Sequence, residues 1–282
     1  DDWDGTSLAQ LSTDRLIEFT NEVLKLDEDA IVKRFGASFI EAETLGPALL
    51  AYSMLAQAFN QTHVYVCDTN LRDGLLRDMA IGGEWTAEFR NQIVRSAITL
   101  GRRFDFDETH ARNVAELSRK LFEQLVADHQ LDQRHEVILH VAALLHEIGL
   151  MINVRSNHKH ALYVIRNSGL FGLSKSELLQ VGLVARYYRR ASPQPSHEGY
   201  GSLEREDRVV VAKLAAILRL AIALDDTRSG RIREIECTRE GRQWVINVPG
   251  VDDVSLEQIA MRQNSGLFRD VFGMQVLLRS GR

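Results

Sequence analysis

Lysine and cysteine are scarce in this chain, and long apolar runs are missing altogether. The 282 residues hold two cysteines, Cys67 and Cys237, too few for a disulfide scaffold. Both lie in apolar, strand-like contexts, VYVCD and IREIECT, as buried free thiols do in a reducing compartment. A cytoplasmic protein is therefore expected. The first residues do not read as a signal peptide, and no apolar run approaches the roughly eighteen residues of a membrane span. A net charge of −5 gives no overall pull toward nucleic acid or an anionic membrane surface, so neither partner is expected. Only six of the 34 basic residues are lysine and the other 28 are arginine. Arginine suits phosphate, because its planar fork makes two parallel charge-assisted hydrogen bonds, although a GC-rich coding sequence accounts for the same bias.

What is present is helical. A hydrophobic content of 45% over this length is enough for a substantial core and about two domains. Between Ser12 and Ala58 apolar residues recur every three or four positions: Leu16, Ile17, Val23 and Leu24, then Ile31, Val32 and Phe35, and after Gly46-Pro47 again Leu49, Leu50, Met54 and Leu55. The short segment His63 to Cys67 reads as a strand, with Asp68 to Leu76 turning at Gly74. That strand has no visible partner nearby, and its sheet is expected to lie outside this chain. Gly82-Gly83 reads as a domain junction.

Beyond the junction the helical pattern is nearly continuous: Thr86 to Gly101, Asp107 to His129, Asp132 to Leu150, His158 to Asn167, Ser174 to Arg190 and Glu204 to Leu224. Ala191 to Ser202, with two prolines and two glycines, is the longest loop. After Asp226 the period changes to two. Strands are expected around Ile232 to Cys237 and Trp244 to Val248, then a helix from Ser255 to Phe268 and a strand from Gly273 to Leu278. The expected fold is mostly α, α+β overall, divided as 1–82, 83–228 and 229–282.

Seven histidines fall on the helices of this stretch, among them His110, His140, His146, His158 and His160, with Glu147 beside His146. The helix that ends at His146-Glu147 is apolar around most of its circumference, so two adjacent ionisable groups there need a reason. One reason is a divalent metal, for which imidazole and carboxylate are suitable ligands. The other is that the histidines are satisfied by backbone carbonyls or by Glu147 and pack as polar members of the core.

Three stretches, AALLHEIG, NHKHALYVIRNS and KLAAILRLAIALDDTR, resemble the C-terminal helical domain of the exopolyphosphatase and guanosine pentaphosphate phosphohydrolase (Ppx/GppA) family, a relative of the HD phosphohydrolases. Upstream, VYVCDTNLRDGLLRDMA is similar to the segment closing that family's second actin-like domain, and LFRDVFGMQVLLR to its C-terminal motif. The resemblance runs from about Leu11 to the last residue. It implies a helical bundle of HD type, preceded by the tail of an actin-like (ribonuclease H-like) domain and followed by a small α+β part.

Departures from the family pattern bear on the chemistry. Where HD enzymes carry His-Asp this chain has His146-Glu147, and Ile222 stands where a second aspartate ligand is expected. Asp225 lies three residues on, about 4.5 Å along a helix, so recruiting it would shift the site. A degenerate set is left: His110, His146, Glu147, His158 and Asp225. The family's imidazole near a helix end is replaced by Arg186-Tyr187-Tyr188-Arg189. No cofactor is expected in this chain, though Mg or Mn is possible in the full-length family. The family's phosphoanhydride chemistry uses Gly/Ser-rich loops in an N-terminal half, and neither Gly82-Gly83-Glu84 nor Gly169-Leu170-Phe171-Gly172 matches them. No catalytic residue is assigned, and because the chain opens on Asp1 a longer parent is expected.

The resemblance implies a polyanion channel, for which Arg102, Arg103, Arg112, Arg119, Arg155, Lys159, Arg186, Arg189 and Arg190 are the candidates, with Glu108, Glu116 and Glu177 able to neutralise some of them. Two readings remain. The first is a C-terminal module that binds polyphosphate or guanosine penta- or tetraphosphate and supports a homodimer, hydrolysis residing in an N-terminal half. The second is a stand-alone metal-dependent phosphohydrolase of HD type.

Overall fold

Amphipathic periodicity becomes helix along most of this chain, in a computed structural model that describes residues 8–67, 86–189 and 191–281. The chain divides into two compact units, 1–83 and 84–282. The segment around Gly74, the Gly82-Gly83 pair and Arg190 lie outside the described residues.

The first unit starts with a strand, β1 (Ala9–Ser12), followed by α1 (Thr13–Val23), α2 (Glu28–Phe35), α3 (Phe39–Ala58) and β2 (His63–Val66). β1 pairs antiparallel with β2, Ala9 opposite Val66 and Ser12 opposite His63, so the strand expected to lack a neighbour has one within the chain. The sequence AQLS gave no sign of it, because its residues favour helix or turn and only pairing makes them extended. Each helix is capped: Ser12 and Asp27 accept from the amides three residues on, and Ser38 with Glu41 forms a capping box. α3 runs straight through Gly46-Pro47, where the sequence pattern was broken. Its small core is Val23, Ile31 and Ala42, while Ile40, Tyr52, Met54 and Phe59 of α3 stay exposed.

The second unit carries α4 (Ala87–Arg103), α5 (Glu108–Gln124), the single turn α6 (Val126–His129), α7 (Gln133–Leu145), α8 (Asn157–Arg166), α9 (Lys175–Arg186) and α10 (Arg205–Leu224). Then come β3 (Glu236–Glu240), β4 (Gln243–Val248), α11 (Ser255–Asn264), α12 (Gly266–Phe272) and β5 (Gln275–Ser280). The helix expected from Ser255 to Phe268 is two, breaking at Ser265. β4 is central, antiparallel to β3 and parallel to β5. α5 packs on α7 and α10, and α8 on α9, while α11 and α12 lie against α10. Residues after 229 share one core with the helices: Ile246 and Phe268 join Leu117, Leu139, Leu183 and Leu218, all fully buried. Each such side chain contributes roughly 1.5–3 kcal/mol by leaving water. No helix among the described residues is long and apolar enough to cross a membrane.

Candidate functional site

Three buried polar groups meet where α5, α7 and α10 come together. His110 is the third residue of α5, whose first turn is capped by Asp107 accepting from the His110 amide at 3.1 Å. The same face carries Val114, Leu117 and Leu121 inward, so the imidazole is driven into the core along with them. His146 follows the last residue of α7, beyond a run from Val137 to Leu145 in which every residue is buried except the half-buried His140. Asp225 closes α10 after its apolar last turn, Ala221 to Leu224. Exposure is 4% for His110 and 1% for both His146 and Asp225, so each needs a partner.

The partners fix the tautomers. Nδ1 of His110 donates to Asp225 Oδ2 at 2.7 Å, and Nδ1 of His146 donates to the Ala143 carbonyl at 2.7 Å. Each ring thus has Nε2 left as a lone-pair donor. Nε2 of His146 is buried and has no hydrogen-bond partner, which costs about 1–3 kcal/mol if nothing fills the gap. Burial also pushes His146 down to about 4, keeping the ring neutral near pH 7. One ring nitrogen from His110, one from His146 and one carboxylate oxygen of Glu147 lie within 4.8 Å of one another. Among the described residues this is the only such grouping of three. Two imidazoles and a carboxylate are a donor set that fits a divalent transition metal, which would supply Lewis-acid chemistry there.

The structure does not bring the other two candidates into that trio. Asp225 lies behind His110, its Oδ1 accepting from the Gly230 amide at 2.9 Å, and so orients the ring instead of adding a ligand. His158 sits among cations. Burial lowers its pKa first, and Arg186, Arg189, Lys159 and His160 push it further down. Nδ1 of His158 is buried without a partner. His140 is likewise elsewhere, feeling Glu116, Arg119 and Arg112, and burial holds it down to about 4. Ile222 is half-buried apolar packing.

Two groups that the residue pattern did not single out complete the site. Arg228 Nη2 donates to both oxygens of Glu147, at 2.7 and 2.9 Å, and Nη1 lies 3.4 Å from Asp107. Burial works against its charge, but Glu147 and then Asp107 outweigh that and raise its pKa. Tyr188 sets its ring edge against His146, 5.1 Å between centroids, while its hydroxyl accepts from Asn157 Nδ2 at 2.7 Å. Tyr188 therefore reaches the cluster from the tetrapeptide where the imidazole is missing. The backbone between is close-packed: a Cβ on Gly149 would lie 2.0 Å from the Asn157 carbonyl oxygen. Only glycine lets the turn after Glu147 rest against the start of α8.

The basic candidates separate into two groups. Arg102 and Arg112 both bond Glu108, whose carboxyl is held down to about 2 by Arg102 and Arg112, and Arg119 is paired with Glu116 and Glu123. Glu177 is taken by Arg134. Arg155, Lys159 and Arg189 have no ion pair among the described residues, and Arg186 gives one bond to the Glu198 carbonyl. Arg189 stacks over Tyr188, 5.7 Å from its centroid. Arg103 lines a separate surface pocket of about 200 Å³ with Ser96, Thr99 and Ser168. Arg190 lies outside the described residues. Of the thiols, Cys67 is exposed rather than buried, and Cys237 is half-buried with burial pushing it up to about 12.

The fold is thus a helical bundle closed by a small mixed sheet, with a histidine–carboxylate cluster at one helix junction. Residues 94–264 match the family model described as Ppx/GppA phosphatase, domain III. The chain belongs to the Ppx/GppA phosphatase family. Relatives named guanosine-5'-triphosphate,3'-diphosphate pyrophosphatase include one from Vibrio vulnificus, 29% identical over 242 residues, covering 79% of this chain and 46% of the relative. The Vibrio atlanticus protein is 27% identical over 234 residues, 78% of this chain and 46% of its own. That of Vibrio parahaemolyticus is 27% identical over 183 residues, 63% of this chain and 34% of its own. The chain therefore spans between a third and a half of the length of these relatives.

Proposed function

We propose that this chain is the C-terminal part of a phosphatase acting on the phosphoanhydride bonds of a guanosine polyphosphate or of inorganic polyphosphate. Its helical unit binds the polyanion and supports pairing of two copies, and bond hydrolysis resides in an N-terminal half. In that reading residues 1–82 are the tail of an actin-like domain and 83–228 an HD-like bundle. The exposed apolar side chains of α3, Ile40, Tyr52, Met54 and Phe59, are what a helix cut from a larger domain would present. The substrate class comes from the relatives' printed name.

One observation carries the binding role. His158 is flanked by Arg186, Arg189, Lys159 and His160, all acting on the same half-buried ring, while Arg155, Lys159 and Arg189 lack carboxylate partners among the described residues. Cations left unneutralised on neighbouring helix ends attract a chain of phosphates by charge, with strong salt dependence.

Titration calorimetry with polyphosphate and with guanosine pentaphosphate at two salt concentrations tests this. Lys159→Glu with Arg189→Glu should weaken binding at least about tenfold, whereas Arg102→Glu, at an already paired position, should change it little. Equal losses from both variants, or no binding at low salt, would remove the reading. Phosphate release by this chain alone would move hydrolysis into it, and light scattering decides the pairing.

A further inference from the structure

The trio of His110, His146 and Glu147 is not explained by polyanion binding. Its donors are built for a cation: each histidine commits Nδ1 to a neighbour, Asp225 or the Ala143 carbonyl, and is left with Nε2. The His146 Nε2 is buried and unpartnered. Ring nitrogens of the pair and a Glu147 oxygen lie within 4.8 Å of one another, a separation that small movements convert to coordination of one ion. The carboxylate, however, is engaged. Arg228 holds both its oxygens from the turn after α10, where the Arg228 amide donates to the Asp225 carbonyl at 2.8 Å and the residue takes a left-handed backbone, φ 51°.

We propose that His110, His146 and Glu147 bind one divalent transition-metal ion, and that Arg228 is its built-in competitor, occupying Glu147 while the ion is absent. Asp225 is a positioning residue: it fixes the tautomer and orientation of His110 without touching the metal. Arg228 is the partly exposed member of its pair, with 44% of its side chain accessible against 15% for Glu147, so it can swing outward without opening the core. The carboxylate cannot serve a guanidinium fork and a metal fully at once. The wild-type site is therefore weaker than its donor set alone would make it, and the ion's arrival frees Arg228 at the protein surface.

The test uses chelator-treated protein, Co(II) and Ni(II), calorimetry for stoichiometry and the visible absorption of Co(II) for the ligand set. Wild type should bind one equivalent with a nitrogen/oxygen-ligated cobalt spectrum. Arg228→Gln should bind about fivefold more tightly, as expected for releasing one partly exposed ion pair. Asp225→Asn should weaken binding about ten- to a hundredfold. His146→Ala should abolish it. Should His146→Ala not fold, Glu147→Gln, changing a group near the surface, decides the matter by losing the site. The proposal is overturned if neither wild type nor Arg228→Gln binds one equivalent, if Glu147→Gln binds as wild type does, or if Arg228→Gln binds more weakly.

Discussion

Arg219 of α10 donates through Nε to the Tyr187 carbonyl at 2.7 Å, joining the middle of one buried helix to the end of another. Its Nη2 donates to the Ala191 carbonyl at 2.6 Å, and no carboxylate faces it among the described residues. Burial pushes this guanidinium down to about 10. Two carbonyls, one at the end of α9 and one in the loop beyond it, depend on one side chain. Arg219→Met should therefore lower unfolding free energy by about 2 kcal/mol, since buried acceptors lose their donors. Arg219→Lys should recover only part, because an ammonium cannot span both. Urea denaturation decides it, and an unchanged midpoint in Arg219→Met would mean that water replaces both bonds.

Gly149→Ala is expected to be among the most damaging single substitutions. A methyl group would fall 2.0 Å from the Asn157 carbonyl oxygen and 2.8 Å from the Ala161 amide nitrogen, both backbone atoms. Backbone cannot step aside as a flexible side chain does, so a loss of about 3 kcal/mol or more is expected. Thermal melting should show it, whereas Gly266→Ala, where nothing lies within 4 Å, should be tolerated.

Stability should fall on mild acidification. Nε2 of His129 donates to the Phe122 carbonyl at 2.8 Å and its Nδ1 accepts from the Leu131 amide at 2.9 Å, so the folded ring has no place for a second proton. Burial lowers its pKa, and burial holds His140 down to about 4. For a histidine with a depressed folded value, the unfolded chain binds the proton first. The stabilisation is thus complete above about pH 6.5 and declines as pH drops below it, for His140 until about 4, by at most about 1.4 kcal/mol per pH unit for each ring. Urea midpoints at pH 7.5, 6 and 5 should decrease in that order, with a shallower decline in His129→Gln. A flat profile would count against neutral buried rings.

The two thiols should react at very different rates. Cys67 is exposed, whereas Cys237 is half-buried with its pKa raised to about 12. A disulfide reagent at pH 8 should therefore label one thiol promptly and the second only after denaturant is added. Cys67→Ser should remove the fast phase entirely.

The helices and the histidines were legible because both are written locally. Periods of three and four gave α4, α5 and α7 to α10, though Asp107 to His129 reads as one helix and is broken at Leu125 into α5 and α6. Ionisable residues at the end of an apolar helix marked His146 and Glu147. The Glu108–Arg112 pair was legible as well, being four residues apart on one helix. Strand β1 was not, since AQLS is extended only because His63–Val66 lies beside it. Nor was Arg228, an arginine in a polar loop, whose place depends on a left-handed turn bringing it to Glu147, 81 residues away in sequence. Asp225, one turn beyond Ile222, reads in the sequence as a substitute ligand, but its hydrogen bond to His110 puts it behind the ring.

The turn from Asp225 to Gly230 roots two prongs at once, one gripping an imidazole and the other a carboxylate. Gaining or losing a single residue there would swing both away together while every histidine remained encoded. Loop length at this one bend, more than any side-chain identity, is therefore the feature by which descendants of this chain could keep or discard the cluster in one genetic event.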